Sequence, residues 1–240
     1  MHDGDTRMGG ARNAFPETAW SSVIAGSPER LNDLCGRYWR PVYAYVRAAY
    51  AKSVDEGKDL TQEFFCHLLE RGSLTYYSPE RGRFRAFLKA AVRQFMSEEH
   101  RRSTALKRGG GKPVLSMDFE DAGPDTFVAD LKSTDPGEIF DRQWAHEVLR
   151  TALGRLKDAL AREGKEDHFR LYESYALRDP AGPGPTYEDL AKAHGLAVSE
   201  VTNRLHALRV RLHGLLVEEV SQSVDSPEGV LQEMKDLFSR

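Results

Sequence analysis

With 240 residues, 40% of them hydrophobic and 30% charged, the chain has length for one large core or two small ones. Its two cysteines, Cys35 and Cys66, form no CxxC unit and no disulfide framework, which fits a reducing compartment. No run of about 18 apolar residues marks a membrane span, and residues 1–20 hold no signal-peptide core, so a cytoplasmic protein with no membrane partner is expected.

Residues 1–16 read as a disordered arm, followed by a short helix near Glu17–Ala25. Leu31, Leu34, Tyr38, Val42, Tyr45, Val46 and Ala49 then recur at helical spacing, with Pro28 placed to start the helix. Leu60, Phe64, Leu68 and Leu69 form a second stripe that Gly72 ends, and Phe84, Phe87, Leu88, Ala91 and Phe95 form a third. Together these helices suffice for a small bundle over residues 17–102.

Periodicity fails over residues 103–137, where Gly109–Gly111 and three prolines lie, and this stretch reads as a linker. Helical spacing resumes at Phe140, Trp144, Val148, Leu149, Ala152, Leu153 and Leu156, then at Phe169, Tyr172 and Tyr175. After the Pro180–Thr186 break come two helices, about Thr186–His194 and Val198–Val217. A last amphipathic piece within residues 218–240 carries Val230, Leu231, Met234, Leu237 and Phe238. The expected fold class is all-α: two small helical domains, 17–102 and 138–217, joined by a flexible linker and followed by a C-terminal helical extension.

The net charge of −3 is an unpromising average for a nucleic-acid binder, but the charges are segregated. Arg81 to Lys112 holds ten Lys/Arg against two Glu, whereas Pro113 to Asp141 holds one Lys against eight Asp/Glu. A basic helix followed by an acidic tether suits a protein that grips one polyanion and passes a second, cationic surface.

The segment Thr186–Leu212 has the pattern of a helix-turn-helix. Thr186 is placed to cap its first helix, with Asp189 at the capping-box position. Gly195 stands where the turn needs positive φ. Leu190, Ala191, Leu196, Val198, Val201, Leu205 and Leu208 are the expected inner face. Ser199, Glu200, Thr202, Asn203, Arg204, Arg209 and Arg211 are the expected outer one. Outward amides, hydroxyls and cations suit base edges and phosphates.

The string formed by Gly195, Val198, Val201, Arg204, Leu205, His206 and Arg209 resembles the promoter-reading fourth region of bacterial sigma factors, in the extracytoplasmic-function subgroup. Asp59–Leu69 is similar to the second-region helix by which such factors bind RNA polymerase, and Tyr76–Leu88 to their melting loop and upstream-reading helix. The resemblance covers about 17–102 and 138–217 in the right order. It implies a transcription initiation factor, not an enzyme, with core RNA polymerase and promoter DNA as partners and no cofactor.

In that reading Asp59, Gln62 and Glu63 bind polymerase. Lys89, Arg93, Arg101 and Arg102 hold DNA phosphates near the minus-ten element, and Tyr76, Tyr77 or Phe84 stacks on an extruded base. Ser199, Thr202, Asn203, Arg204 and Arg209 meet the minus-thirty-five element, with Arg204 foremost. The resemblance also implies that the acidic linker lies in the polymerase's RNA exit path.

One departure concerns Glu56-Gly57-Lys58-Asp59, which is poorer in acid than the family pattern. Phosphorylation of Thr61 or Ser53 would supply charge there, about −1.5 to −2, so a Ser/Thr kinase joins an anti-sigma factor among the candidate regulators. Two alternatives stay open at this level: a stand-alone helix-turn-helix regulator, which leaves Asp59–Arg102 unexplained, and an adaptor that binds only proteins. Gly109–Lys112 lacks the Ser or Thr and the preceding strand of a phosphate loop. His146-Glu147 lacks the second histidine of a zinc site, and the scattered His and Cys give no metal spacing.

Overall fold

A computed structural model describes residues 28–50, 53–70, 73–77, 82–105, 135–176, 184–224 and 226–238. The helix near 17–25, the loop 78–81, Gly72, the linker 106–134 and the break 177–183 lie outside the described residues. The described regular structure is helical throughout: α1 Pro28–Tyr50, α2 Val54–Glu70, a 3-10 turn Ser73–Tyr76, α3 Phe84–Ala105, α4 Pro136–Arg162, α5 Glu166–Ala176, α6 Tyr187–His194, α7 Val198–Ser221 and α8 Pro227–Phe238. No strand occurs among these residues. The protein is all-α.

The helices start where the sequence supplies local reasons. Pro28 opens α1 and Pro136 opens α4, since a proline in the first turn loses no hydrogen bond. Ser53 caps α2 reciprocally with Glu56: the Glu56 N–H donates to Ser53 Oγ and the Ser53 N–H to Glu56 Oε2, each at 3.2 Å. Gly57 lets α2 approach α1, because a Cβ at this position would stand 2.6 Å from Arg47 Cδ and 3.1 Å from Tyr43 Cε2.

A single stripe describes α1 incompletely. Beyond Leu34, Tyr38, Val42, Tyr45 and Val46, it also buries Trp39, Tyr43 and Ala44, so its second half is covered on nearly every side. A helix buried all round needs partners on opposite flanks. One flank meets α2 and α3; the other meets α4. There the Trp144 ring stacks on Tyr38 at 4.4 Å and 13°, and Tyr38 meets Phe84 edge-on at 5.2 Å.

The first core therefore contains Leu34, Val42, Phe64, Phe65, Leu88 and Val92 together with Phe140, Trp144 and Val148 of α4, Val220 at the end of α7, Val224 just beyond it, and Val230 of α8. A second core joins Ala152, Leu156 and Leu160 of α4 to Phe169, Leu171, Leu190, Val201, Leu205 and Leu208. Where the sequence places a border at residue 137, the packing runs across it: α4 enters one core with its first half and the other with its second.

Two buried carboxylates pin this seam. Glu147 lies between Arg40, Nη1 to Oε1 at 2.6 Å, and Arg150, Nη2 to Oε2 at 2.9 Å. Glu219 lies between Arg37 at 3.0 Å and Arg155 at 2.6 Å. In each trio α1 and α4 contribute one guanidinium apiece, so neither carboxylate is left as an isolated buried charge.

Candidate functional site

The α6–α7 pair is built from its caps. The Asp189 N–H donates to Thr186 Oγ1 at 3.1 Å, and the Thr186 N–H donates to Asp189 Oδ2 at 3.0 Å. Gly195 then turns the chain in the left-handed region, φ 64° and ψ 36°, and the Leu196 N–H closes on the Ala191 carbonyl at 2.9 Å. Thr186→Ala should cost about 1 kcal/mol in a denaturant titration; an unchanged midpoint would remove the cap from this account. The Thr186 hydroxyl and backbone hold the Asp189 carboxyl below its ordinary range. A depressed carboxylate contributes above its unfolded pKa, about 4, and that contribution fades as the pH falls through the folded value.

Leu190, Ala191, Val201, Leu205 and Leu208 are buried as the pattern expects. Val198 is not, being 42% exposed. On the opposite side Ser199, Thr202 and Asn203 are open to solvent, although the Thr202 hydroxyl donates to the Val198 carbonyl at 3.0 Å.

Of the cations of α7, Arg209 is exposed as expected, whereas Arg204 and Arg211 are half-buried, and each of the three has a partner. Arg204 folds back on α5, its Nη1 lying 2.8 Å from Asp167 Oδ2. The Arg209 guanidinium sits 4.8 Å from the Tyr175 ring centre, and its Nη2 donates to the Tyr187 hydroxyl at 3.5 Å. Arg211 pairs with Glu163 at 2.6 Å, which with Lys165 lowers that carboxyl to about 2. Glu200 accepts from the Ala197 N–H at 3.1 Å and so caps α7.

The reason lies in the helical period. At about 100° per residue, 204 and 211 flank the stripe 201–205–208–212, whereas 199, 203, 206 and 210 lie opposite it. Two further members of the outermost row, not among the residues expected there, are His206, which is exposed, and Val210, which is 61% exposed. The same periodicity was the signal that points to them.

On α2, Asp59 is exposed while Gln62 and Glu63 are half-buried. Asp59 lines a cleft of about 190 Å³ with Tyr50, Glu56, Leu60, Met96, Glu99 and His100. The acid that Lys58 dilutes along the sequence is gathered in space, with Glu99 arriving from α3. Thr61 is fully buried, its hydroxyl donating to the Gly57 carbonyl at 2.7 Å, so of the two candidate phosphorylation positions it is Ser53 that faces solvent.

The aromatic trio divides. Phe84 is fully buried and Tyr77 nearly so, their rings meeting edge-on at 5.1 Å, and both are core residues in place of base platforms. Tyr76 is 74% exposed, at a hollow of about 440 Å³ lined also by Phe64, His67, Phe87 and Phe95. Comparison with protein-family models, curated proteins and solved structures gives no match. Function therefore rests on the residues themselves.

Among the α3 cations, Arg93 and Arg101 are exposed, and Arg101 Nε donates to the Ser97 carbonyl at 3.3 Å. Of Arg102 only the helical backbone is described. Lys89 is turned inward, its Nζ 2.9 Å from both Asp141 oxygens, because positions 85 and 89 face α4 and α8. The Cys35 thiol is buried and pushed up to about 11 by desolvation, with Cys66 adding to the shift. No group of three metal-ligating side chains occurs among the described residues, and none of their helices is long and apolar enough to cross a membrane.

Proposed function

We propose that the chain is a transcription initiation factor of the bacterial sigma kind. It binds core RNA polymerase and directs it to promoters, the first bundle receiving the minus-ten element and the α6–α7 pair the minus-thirty-five element. The observation that carries this reading is the outer row of α7. Ser199, Asn203, His206 and Val210 stand open on a helix whose opposite side is fixed by α4, α5 and α6.

A second helix entering a major groove after a tight turn is the docking mode of a helix-turn-helix. An asparagine amide matches the paired donor and acceptor of adenine, and a valine methyl suits that of thymine. The acidic cleft around Asp59 suits a cationic protein surface, and Arg93, Arg101 and the exposed Tyr76 suit a DNA strand held by phosphate contacts and stacking.

The deciding experiment is run-off transcription with core polymerase and a promoter taken from upstream of the protein's own gene. The full chain should yield a promoter-specific transcript. Asn203→Ala should weaken promoter binding by about 1–3 kcal/mol, and Arg204→Ala, at a side chain tied to Asp167, should weaken it by less. Unchanged promoter use by both variants would take α7 out of the reading. A chain that binds duplex DNA but not polymerase at low salt is a stand-alone regulator instead.

A further inference from the structure

The C-terminal helix α8 lies on the most basic part of the chain. Its Glu233 is 1% exposed and pairs with Arg85, whose Nη2 donates to Oε2 at 3.0 Å while Nε stands 2.7 Å from Oε1. Arg83 Nη1 donates to Glu233 Oε2 at 2.8 Å and also to Asp236. The remaining side of Arg85 is closed by Asp141, 2.7 Å from Nη1, which also holds Lys89. Three cations, Arg83 just before α3 and Arg85 and Lys89 in its first turns, are thus matched by three carboxylates, two of them from α8.

We propose that the Arg83–Arg85–Lys89 face is a nucleic-acid phosphate site which α8 and Asp141 occupy in the free protein, so that DNA and α8 compete for it. A carboxylate oxygen that accepts from two guanidinium groups, as Glu233 Oε2 does from Arg83 and Arg85, stands where a phosphate oxygen can also be held. Apolar side chains commonly fill a buried position with equal or greater stability than a charged cluster, so the charges point to a ligand that shares them. The grip of α8 is otherwise slight. It buries Val230, partly covers Met234 and Leu237, and leaves Leu231 62% and Phe238 38% exposed. Twelve residues make a helix too short to persist alone, so α8 is held mainly by what it covers. An open hollow of about 410 Å³ bordered by Arg85, Lys89, Asp141, Lys235 and Asp236 gives a phosphate a way in.

This inference rests on the DNA reading of α3 made above, and its test separates the two. The probe is a fluorescein-labelled single-stranded DNA of mixed sequence, titrated into the full-length chain and followed by anisotropy. Asp236→Asn, at a half-exposed position, should tighten binding roughly three- to tenfold. Asp158→Asn removes the same charge from an exposed position on α4 and should change binding by under about twofold. Adding Lys89→Ala to Asp236→Asn should cancel the gain. In the wild type, saturating DNA should speed hydrogen exchange across Pro227–Phe238.

Equal affinities for Asp236→Asn and Asp158→Asn, or an α8 that stays protected while DNA is bound, overturn the competition and leave the reading of α3 standing. Absence of DNA binding by every variant overturns both. Promoter-specific transcription with α8 protected throughout removes this inference alone.

Discussion

Trp144→Ala should lower the free energy of unfolding by about 3–5 kcal/mol and divide one unfolding transition into two. The indole is 2% exposed and stacks on Tyr38, which in turn meets Phe84, so its removal opens a cavity where α1, α3 and α4 converge. Loss of the ring pair adds about 0.5–1.5 kcal/mol to the loss of apolar contact. Because α4 also carries Ala152, Leu156 and Leu160 into the second core, that core should remain while the first loosens. Urea titration followed by far-ultraviolet circular dichroism distinguishes the outcomes. A single transition within about 1 kcal/mol of wild type would mean that the seam does not couple the cores.

Glu233→Ala should be the next most damaging change, at about 3 kcal/mol, the low end for breaking a buried ion pair. The Arg85 side chain is 9% exposed and keeps Asp141 as a partner, which limits the penalty. The double replacement Arg85→Met with Glu233→Met should regain most of the stability, since methionines of similar bulk replace the most buried pair while Asp141 keeps Lys89 and Arg83 keeps Asp236. A loss well under 1 kcal/mol for Glu233→Ala, the range usual for an exposed pair such as Arg204 with Asp167, would show that α8 is not anchored there.

The helices and their ends were legible because their causes are local. Pro28, the Thr186–Asp189 box, the left-handed Gly195 and the apolar stripes each act within a few residues. The seam was not legible. Trp39, Tyr43 and Ala44 read along the chain only as extra hydrophobicity, and nothing in one dimension tells a helix with one buried side from a helix with two.

The ion pairs were hidden for a related reason. Arg37 and Glu219 stand 182 positions apart and Arg85 and Glu233 148 apart, and a charge in a sequence carries no address for its partner. Arg204 differs in that its place follows from local geometry: counting about 100° per residue from Val201 puts Asn203 outermost and Arg204 beside the core. Gly57, read from sequence only as part of a segment poor in acid, proves to be a position where α2 lies so near α1 that a Cβ would meet Arg47.

The continuity of α4 has a mechanical consequence. Its 27 residues span about 40 Å, and its one proline stands at its first position, where it does not bend a helix. The outer row of α7 and the cleft beside Asp59 are consequently gauged against a common ruler. Because α4 carries side chains into both cores, a motion that moves one against the other must disturb the packing of at least one of them.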